Sequence, residues 1–317
     1  MAYLESEEMI GHSLQRGFLA RSLKNTRHHA FLLVGPEHLG KDTVARALIA
    51  DELRRPVASW QDLAAHPDVR VISREEGEKN IGIGAIRGFI DHFSSSSFWG
   101  GRKIGVILGA QDLSLEAANA LLKTLEEPAG KALLVLVAHS FDRLPETVKS
   151  RCQVVRFLTV PPGEVAKGLA RRGVGAEAAE ISAAFSAGRP GLAVAHAEDA
   201  GLRATHGEQV RSFMELADRP VSGRLAAASE ITAKAETSAL ISLMDVWTAV
   251  LRDALSVATG NERYATDRTA LPALRSYASK RSLSAIVKAH RQLAAGKKML
   301  GENVNPRLIF EHIALSL

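Results

Sequence analysis

The chain has 317 residues, 46% of them hydrophobic and 24% charged, a balance that excludes a disordered chain and admits two or three compact domains. A formal net charge of +5 and an isoelectric point near 9.4 suit contact with nucleic acid without requiring it. The single cysteine, Cys152, excludes an internal disulfide or a multi-cysteine zinc cluster and fits a reducing cytoplasm; the acidic start MAYLESEEMI does not read as a secretory signal, and no window offers the roughly 20 apolar residues that span a bilayer.

The first half alternates strand and helix. His29–Val34 is a short apolar run ending at Gly35, and Lys41–Leu53 follows with apolar residues at helical spacing. Asp68–Ser73 reads as a second strand, and Ile83, Ile86, Ile90 and Phe93 mark a helix that stops in the serine run Ser94–Ser97. Lys103–Leu108 is a third strand, Leu115–Glu127 a helix closed by Pro128, Ala132–Ala138 a fourth strand, Arg143–Lys149 a short helix and Gln153–Phe157 a fifth strand. Strands separated by helices pair in parallel, because each crossover returns the chain to the same end of the sheet. Residues 1–160 therefore read as one α/β domain. After Pro161–Pro162 strand-like runs vanish and alanine-rich helical periodicity takes over. Residues 161–205 read as a small helical domain and 206–317 as a larger helical bundle, with turns at Gly260-Asn261 and Asn303–Pro306.

The strongest local signal is Gly35-Pro36-Glu37-His38-Leu39-Gly40-Lys41-Asp42-Thr43. It has the glycine spacing and the lysine of a P-loop and stands where one belongs, between a strand and a helix. Backbone N–H groups of such a turn offer partial positive charge to phosphate oxygens, and Lys41 adds a full charge. The hydroxyl that should follow the lysine to ligate magnesium is replaced by Asp42, with Thr43 one position late. An ATPase of this kind also needs two carboxylates beyond a buried strand, one for magnesium and one to aim water. Here KIGVIL runs into Gly109-Ala110-Gln111-Asp112, so both expected positions lack an acid, and Asp112 reads as a cap for the next helix. Hydrolysis within the chain is expected to be lost. Ser150-Arg151-Cys152 places an arginine at a domain edge; alone, that is an ordinary surface residue.

Together these segments resemble bacterial clamp-loader subunits of the AAA+ class. Asn119-Ala120-Leu121-Leu122-Lys123-Thr124-Leu125-Glu126-Glu127-Pro128 is similar to the family's helix after the Walker B strand, ALLVLVAHS to its sensor 1 strand, and Leu144-Pro145-Glu146-Thr147-Val148-Lys149-Ser150-Arg151-Cys152 to the stretch ending in its Ser-Arg-Cys motif. His66-Pro67-Asp68 and Asn303-Val304-Asn305-Pro306-Arg307-Leu308 extend the resemblance towards both ends. It implies an AAA+-like P-loop domain, a helical lid and an all-α collar-type bundle. The family's motor subunits keep an intact P-loop, the Walker B acids and a lid arginine; this chain departs at Asp42, at Gly109 and Ala110, and at Gly191 in the lid.

The combination resembles the family's ATPase-inactive stator, which needs no cofactor of its own. The resemblance implies DNA replication as the setting, a hetero-oligomer with gamma/tau-type motor subunits and a delta-type subunit, a sliding clamp and primed DNA within the assembly, a cytoplasmic location and no membrane. It also implies that Arg151 acts as a finger on a neighbour's nucleotide and makes Lys123 a candidate DNA contact. His139 and Ser140, near sensor 1, are expected to be structural. The zinc module common in the family is replaced by RRPVASWQDLAA, so no zinc is expected. A rival reading is an active AAA+ ATPase with a variant site, Asp42 holding magnesium and Asp112 standing in for the acids. A weaker one is a nucleic-acid-binding relative outside replication.

Overall fold

The computed structural model describes residues 3–24, 28–233, 235–302 and 304–317, so Asn303 of the expected C-terminal turn lies outside the described residues. Two compact units emerge, one running to Gly173 and taking in Gly188–Leu192, the other made of Val174–Ala187 and Ala193–Leu317.

The first unit holds α1 (Ser13–Lys24), β1 (Ala30–Val34), α2 (Lys41–Leu53), α3 (Trp60–Ala64), β2 (Val69–Ile72) and α4 (Ile83–Asp91). β3 (Lys103–Leu108), α5 (Leu115–Glu126), β4 (Ala132–Ala138), α6 (Glu146–Lys149), β5 (Gln153–Arg156) and α7 (Pro162–Arg171) follow. The five strands form one sheet in the order β2-β3-β4-β1-β5, every pairing parallel. All residues of β1 and β4 are buried, as a sheet covered on both faces requires. Alternate side chains divide between two cores: Phe31, Leu33, Val135 and Val137 pack with α1 and α2, while Leu32, Leu134 and Leu136 pack with α4 and α5. At Gly105 of β3 an added Cβ would lie 2.4 Å from the Phe89 ring, so only glycine lets α4 lie this close to the sheet.

The register decides where chemistry can occur. Val34 lies beside Ala138 and Arg156, and Leu108 beside Val137. The carboxyl ends of β1, β3, β4 and β5 therefore share one rim, the rim at which open α/β sheets receive ligands.

Several boundaries differ from the sequence expectation for local reasons. Ser114 caps α5, its hydroxyl accepting the Ala117 N–H at 3.2 Å; Asp112 instead closes a 3-10 turn over Ala110–Asp112. Phe93 falls in a 3-10 turn that ends α4. α6 begins at Glu146 rather than Arg143, because the Leu144–Pro145 step holds its leading residue extended. Two helices went unforeseen. α1 is too polar for its stripe to stand out, and α3 lies in the short RRPVASWQDLAA stretch, capped by the Ser59 hydroxyl on the Asp62 N–H.

The second unit is helical: α8 (Ala176–Phe185), α9 (Pro190–Glu198, entering from the first unit), α10 (Ala200–Asp218) and α11 (Val221–Thr232). α12 (Thr237–Ala258), α13 (Leu271–Ser279), α14 (Leu283–Gly301) and α15 (Pro306–Ser316) complete it. Its core gathers Phe213, Trp247, Tyr277 and Phe310, with Trp247 edge-on to both phenylalanines. Among the described residues no helix is long and apolar enough to cross a membrane.

Candidate nucleotide site and arginine edge

The turn after β1 has the backbone of a phosphate loop. Gly35 continues the strand by donating its N–H to the Ala138 carbonyl at 3.3 Å. Its φ is +152°, and a Cβ would lie 2.3 Å from the Phe157 carbonyl oxygen, so only glycine fits. Gly40 has φ 84° and precedes α2 without a side-chain cap, leaving the helix N-terminus open. Lys41 is buried, 1% exposed, and its ammonium donates to the Pro36 carbonyl at 2.6 Å. Burial lowers its pKa, against the opposing pull of Asp42 and Glu37. The lysine is thus folded into its own loop. Asp42 is half-buried and Thr43 exposed.

Gly191 closes this loop from outside. Its N–H donates to the His38 carbonyl at 2.8 Å, and a Cβ there would lie 3.0 Å from the same oxygen. Gly188, at φ +76°, packs still closer on Val160, where a Cβ would lie 2.7 Å from the carbonyl oxygen. Gly191 therefore lies directly on the P-loop backbone at His38.

At the end of β3 an amide stands among the expected acids. Gln111 accepts the His139 N–H at 3.0 Å and donates to Asp112 Oδ2 at 3.0 Å. It ties the end of β3 to the end of β4. Asp112, the one carboxylate in Gly109–Asp112, faces Arg143 at 3.5 Å and Arg74 at 3.9 Å. Its oxygens are spent on an amide and two guanidinium groups, a poor setting for ligating a metal or polarising water. Among the described residues no three His, Cys, Asp or Glu side chains converge to hold a metal ion. Asp112, so engaged, does not fit the role of a magnesium ligand in a hydrolysing ATP site.

His139 follows β4. Burial, then Lys41, lowers its pKa, opposed by Glu37, Asp42 and Asp112. Its ring is neutral at pH 7, and the 4.0 Å approach to Glu37 is a polar contact rather than an ion pair.

The third feature lies at the end of α6. Arg151 donates from Nε to Glu126 at 2.6 Å and from Nη1 to the Thr147 carbonyl at 3.0 Å. Ser150 returns its hydroxyl to Thr147 O at 3.2 Å. Cys152 is largely enclosed, which pushes its thiol up to about 12 and leaves it inert at neutral pH. Lys123 stands exposed on α5, while Ala117, Ala118, Leu121 and Leu125 face the core. In the C-terminal unit two lysines are paired with acids: Lys280 with Asp218 at 2.9 Å and Lys297 with Asp245.

Residues 12–161 match the family described as DNA polymerase III, delta subunit. The chain is 36% identical to DNA polymerase III subunit delta' of Pseudomonas aeruginosa, over 61% of this chain and 63% of that protein. It is 24% identical to the subunit delta' of Bacillus subtilis over 93% of this chain and 92% of the relative. Over these stretches the chain resembles the subunit delta' of DNA polymerase III. It spans less than two thirds of the length of the Pseudomonas relative. The fold is that of a gamma subunit-related protein of Thermotoga maritima, with a TM-score of 0.50 at 18% identity, covering 94% of this chain and 97% of that one.

The motif residues fall into two groups. Gly35, Gly40, Lys41 and Asp42 lie at the carboxyl rim of the sheet, in the loop whose His38 carbonyl meets Gly191, whereas Ser150, Arg151 and Cys152 follow α6 and contact Glu126 through Arg151. Sequence reasoning missed three partners. The acids are missing at Gly109 and Ala110, and Gln111 beside them is a strut between two strands. Gly191 was read as a lost arginine, yet its N–H caps a P-loop carbonyl. Glu126, singled out only as part of the helix similar to the one after the Walker B strand, holds Arg151. Only the first carried a signal, since a glutamine beside an aspartate after a buried strand can satisfy both neighbouring chains.

Proposed function

We propose that this delta-prime-like chain is a non-hydrolysing stator subunit of a DNA polymerase III clamp loader, and that Arg151 completes the nucleotide site of a neighbouring motor subunit. The observation that carries the reading is at the end of β3: Gln111 holds the two strands together, and Asp112 is engaged by Gln111, Arg143 and Arg74. A rim whose acid beyond β3 is already engaged, and whose expected acid positions are Gly109 and Ala110, is poorly equipped to hold magnesium and aim water for cleavage of a phosphoanhydride. Lys41 folded onto Pro36 and Gly191 seated on His38 add to the same picture.

Arg151 supplies what remains. A guanidinium is always charged, planar and forked, so it can neutralise charge developing on a transferred phosphoryl group from across an interface. The partners are motor subunits of gamma/tau type and a delta-type subunit, acting on a sliding clamp and primed DNA. The helical C-terminal unit joins the collar of the assembly, with Lys123 facing DNA phosphates and the complex working in the cytoplasm.

Reconstitution tests the finger. With Arg151→Ala the complex should assemble as the parent does, while hydrolysis at the one site bordered by this chain falls on the order of 10³-fold. Parental DNA-stimulated turnover in an assembled Arg151→Ala complex would remove the finger from the account.

A further inference from the structure

Arg151 is not a free side chain. Glu126, the last residue of α5, accepts its Nε–H at 2.6 Å and an Nη2–H through the same oxygen. On the other flank Nη1 donates to the Thr147 carbonyl at 3.0 Å, with the Ser150 hydroxyl 3.5 Å away. The Nε/Nη2 edge is one of the forks that fit a carboxylate or a phosphate. Here a carboxylate occupies it, and the negative charge in contact with the guanidinium opposes the field a phosphoryl group would need.

Resting on the trans-acting role proposed for Arg151, we infer that Glu126 is an intramolecular latch on the finger. In the lone chain it parks the guanidinium. When a nucleotide-loaded neighbour docks, a phosphate oxygen takes over the N–H bonds that Glu126 gives up. No proton moves and no bond is made or broken covalently; Arg151 stays charged throughout and exchanges one anion for another.

The surroundings suit an exchange. Arg151 is 29% exposed and Glu126 50% exposed, so the pair is weak and screened by salt, and opening it costs little. The Glu126 backbone stays put, because Thr124 and Leu125 beside it are buried and Pro128 stops the helix from extending. The Thr147 carbonyl lies on α6 and can keep its bond to Nη1 while the other edge turns outward. Glu127 gives an internal control: it is exposed and makes no ion pair among the described residues.

The test uses the complex reconstituted with its motor subunits, clamp and primed DNA, and reads ATP turnover at low and at high salt. Each variant is first shown to melt and to assemble as the parent does. Removing the competing carboxylate in Glu126→Gln should raise turnover at low salt roughly two- to fivefold, the range that an exposed ion pair spans. The gap should close at high salt, where the parental latch is itself screened. Glu127→Gln should match the parent. Lower turnover in Glu126→Gln would make the carboxylate a support for the finger and overturn the latch; unchanged turnover at low salt, or an equal rise in Glu127→Gln, would overturn it as well. The double variant Glu126→Gln/Arg151→Ala should be as slow as Arg151→Ala alone. If Arg151→Ala by itself keeps parental turnover, the finger is at fault and the latch falls with it, an outcome distinct from a working finger indifferent to Glu126.

Discussion

Asp68 shows how much one side chain organises. It is 2% exposed and accepts the Ser97 hydroxyl at 2.8 Å and the N–H groups of Phe98 and Trp99 at 2.7 and 3.0 Å, with Lys103 at 3.6 Å. Burial alone would raise its pKa; the three hydrogen bonds and Lys103 overrule burial and hold it below the usual aspartate value. The loop before β3 is thereby fixed, with Phe98 and Trp99 turned outward. Asp68→Ala leaves the buried Lys103 ammonium and the Phe98 and Trp99 amides without their acceptor, so urea unfolding should show a loss of about 3 kcal/mol. Because the folded pKa lies below the unfolded one, this stabilisation is complete above about pH 4 and drains away as pH falls through the folded value. Parent and variant should therefore converge in stability in acid.

At the scale of elements, the second unit carries a built-in sensitivity to acid. His206 stacks on Phe185 at 4.0 Å, and His196 stands edge-on 5.7 Å away, both rings buried. Burial, then the charge of His196, lowers His206 to about 4, and burial with Arg203 lowers His196. The unfolded chain takes up these protons near pH 6.5 and the folded one resists them. Stability is thus complete above about pH 6.5 and falls between there and about pH 4, by on the order of 2–3 kcal/mol for His206 alone. Fluorescence of the buried Trp247 during urea unfolding at pH 7 and pH 5 should report the drop, and His206→Leu should flatten it. An equally steep drop in that variant would assign the effect to other groups.

The same scale shows what the sequence could carry. Strands buried on both faces stand out as unbroken apolar runs, and Lys103–Leu108 and Ala132–Ala138 match the expectation to the residue. Helices with a clear apolar stripe, such as α2 and α5, are equally plain. Cap choice was not, because Asp112 and Ser114 are both good caps and only packing selects Ser114. Partners distant in sequence were hidden for a deeper reason. Nothing local announces that Gly191 will donate to His38 or that Glu126 will hold Arg151. Motifs reveal which groups are present; tertiary packing decides which of them are already engaged.

For the whole molecule, the rim of the parallel sheet keeps the form of a nucleotide site and, in the stator proposed above, has lost its chemistry. Gly35 and Gly40 shape the loop, Lys41 turns inward, and amide and guanidinium groups take up Asp112, the acid beyond β3. In that proposal the group that acts on a phosphate is Arg151, on another edge of the same unit. The most direct measurement is phosphate release from ATP by the purified chain, free of other subunits, with Lys41→Ala beside it. Both proteins should release phosphate no faster than the buffer. Steady turnover by the parent that disappears in Lys41→Ala would contradict the account at its centre.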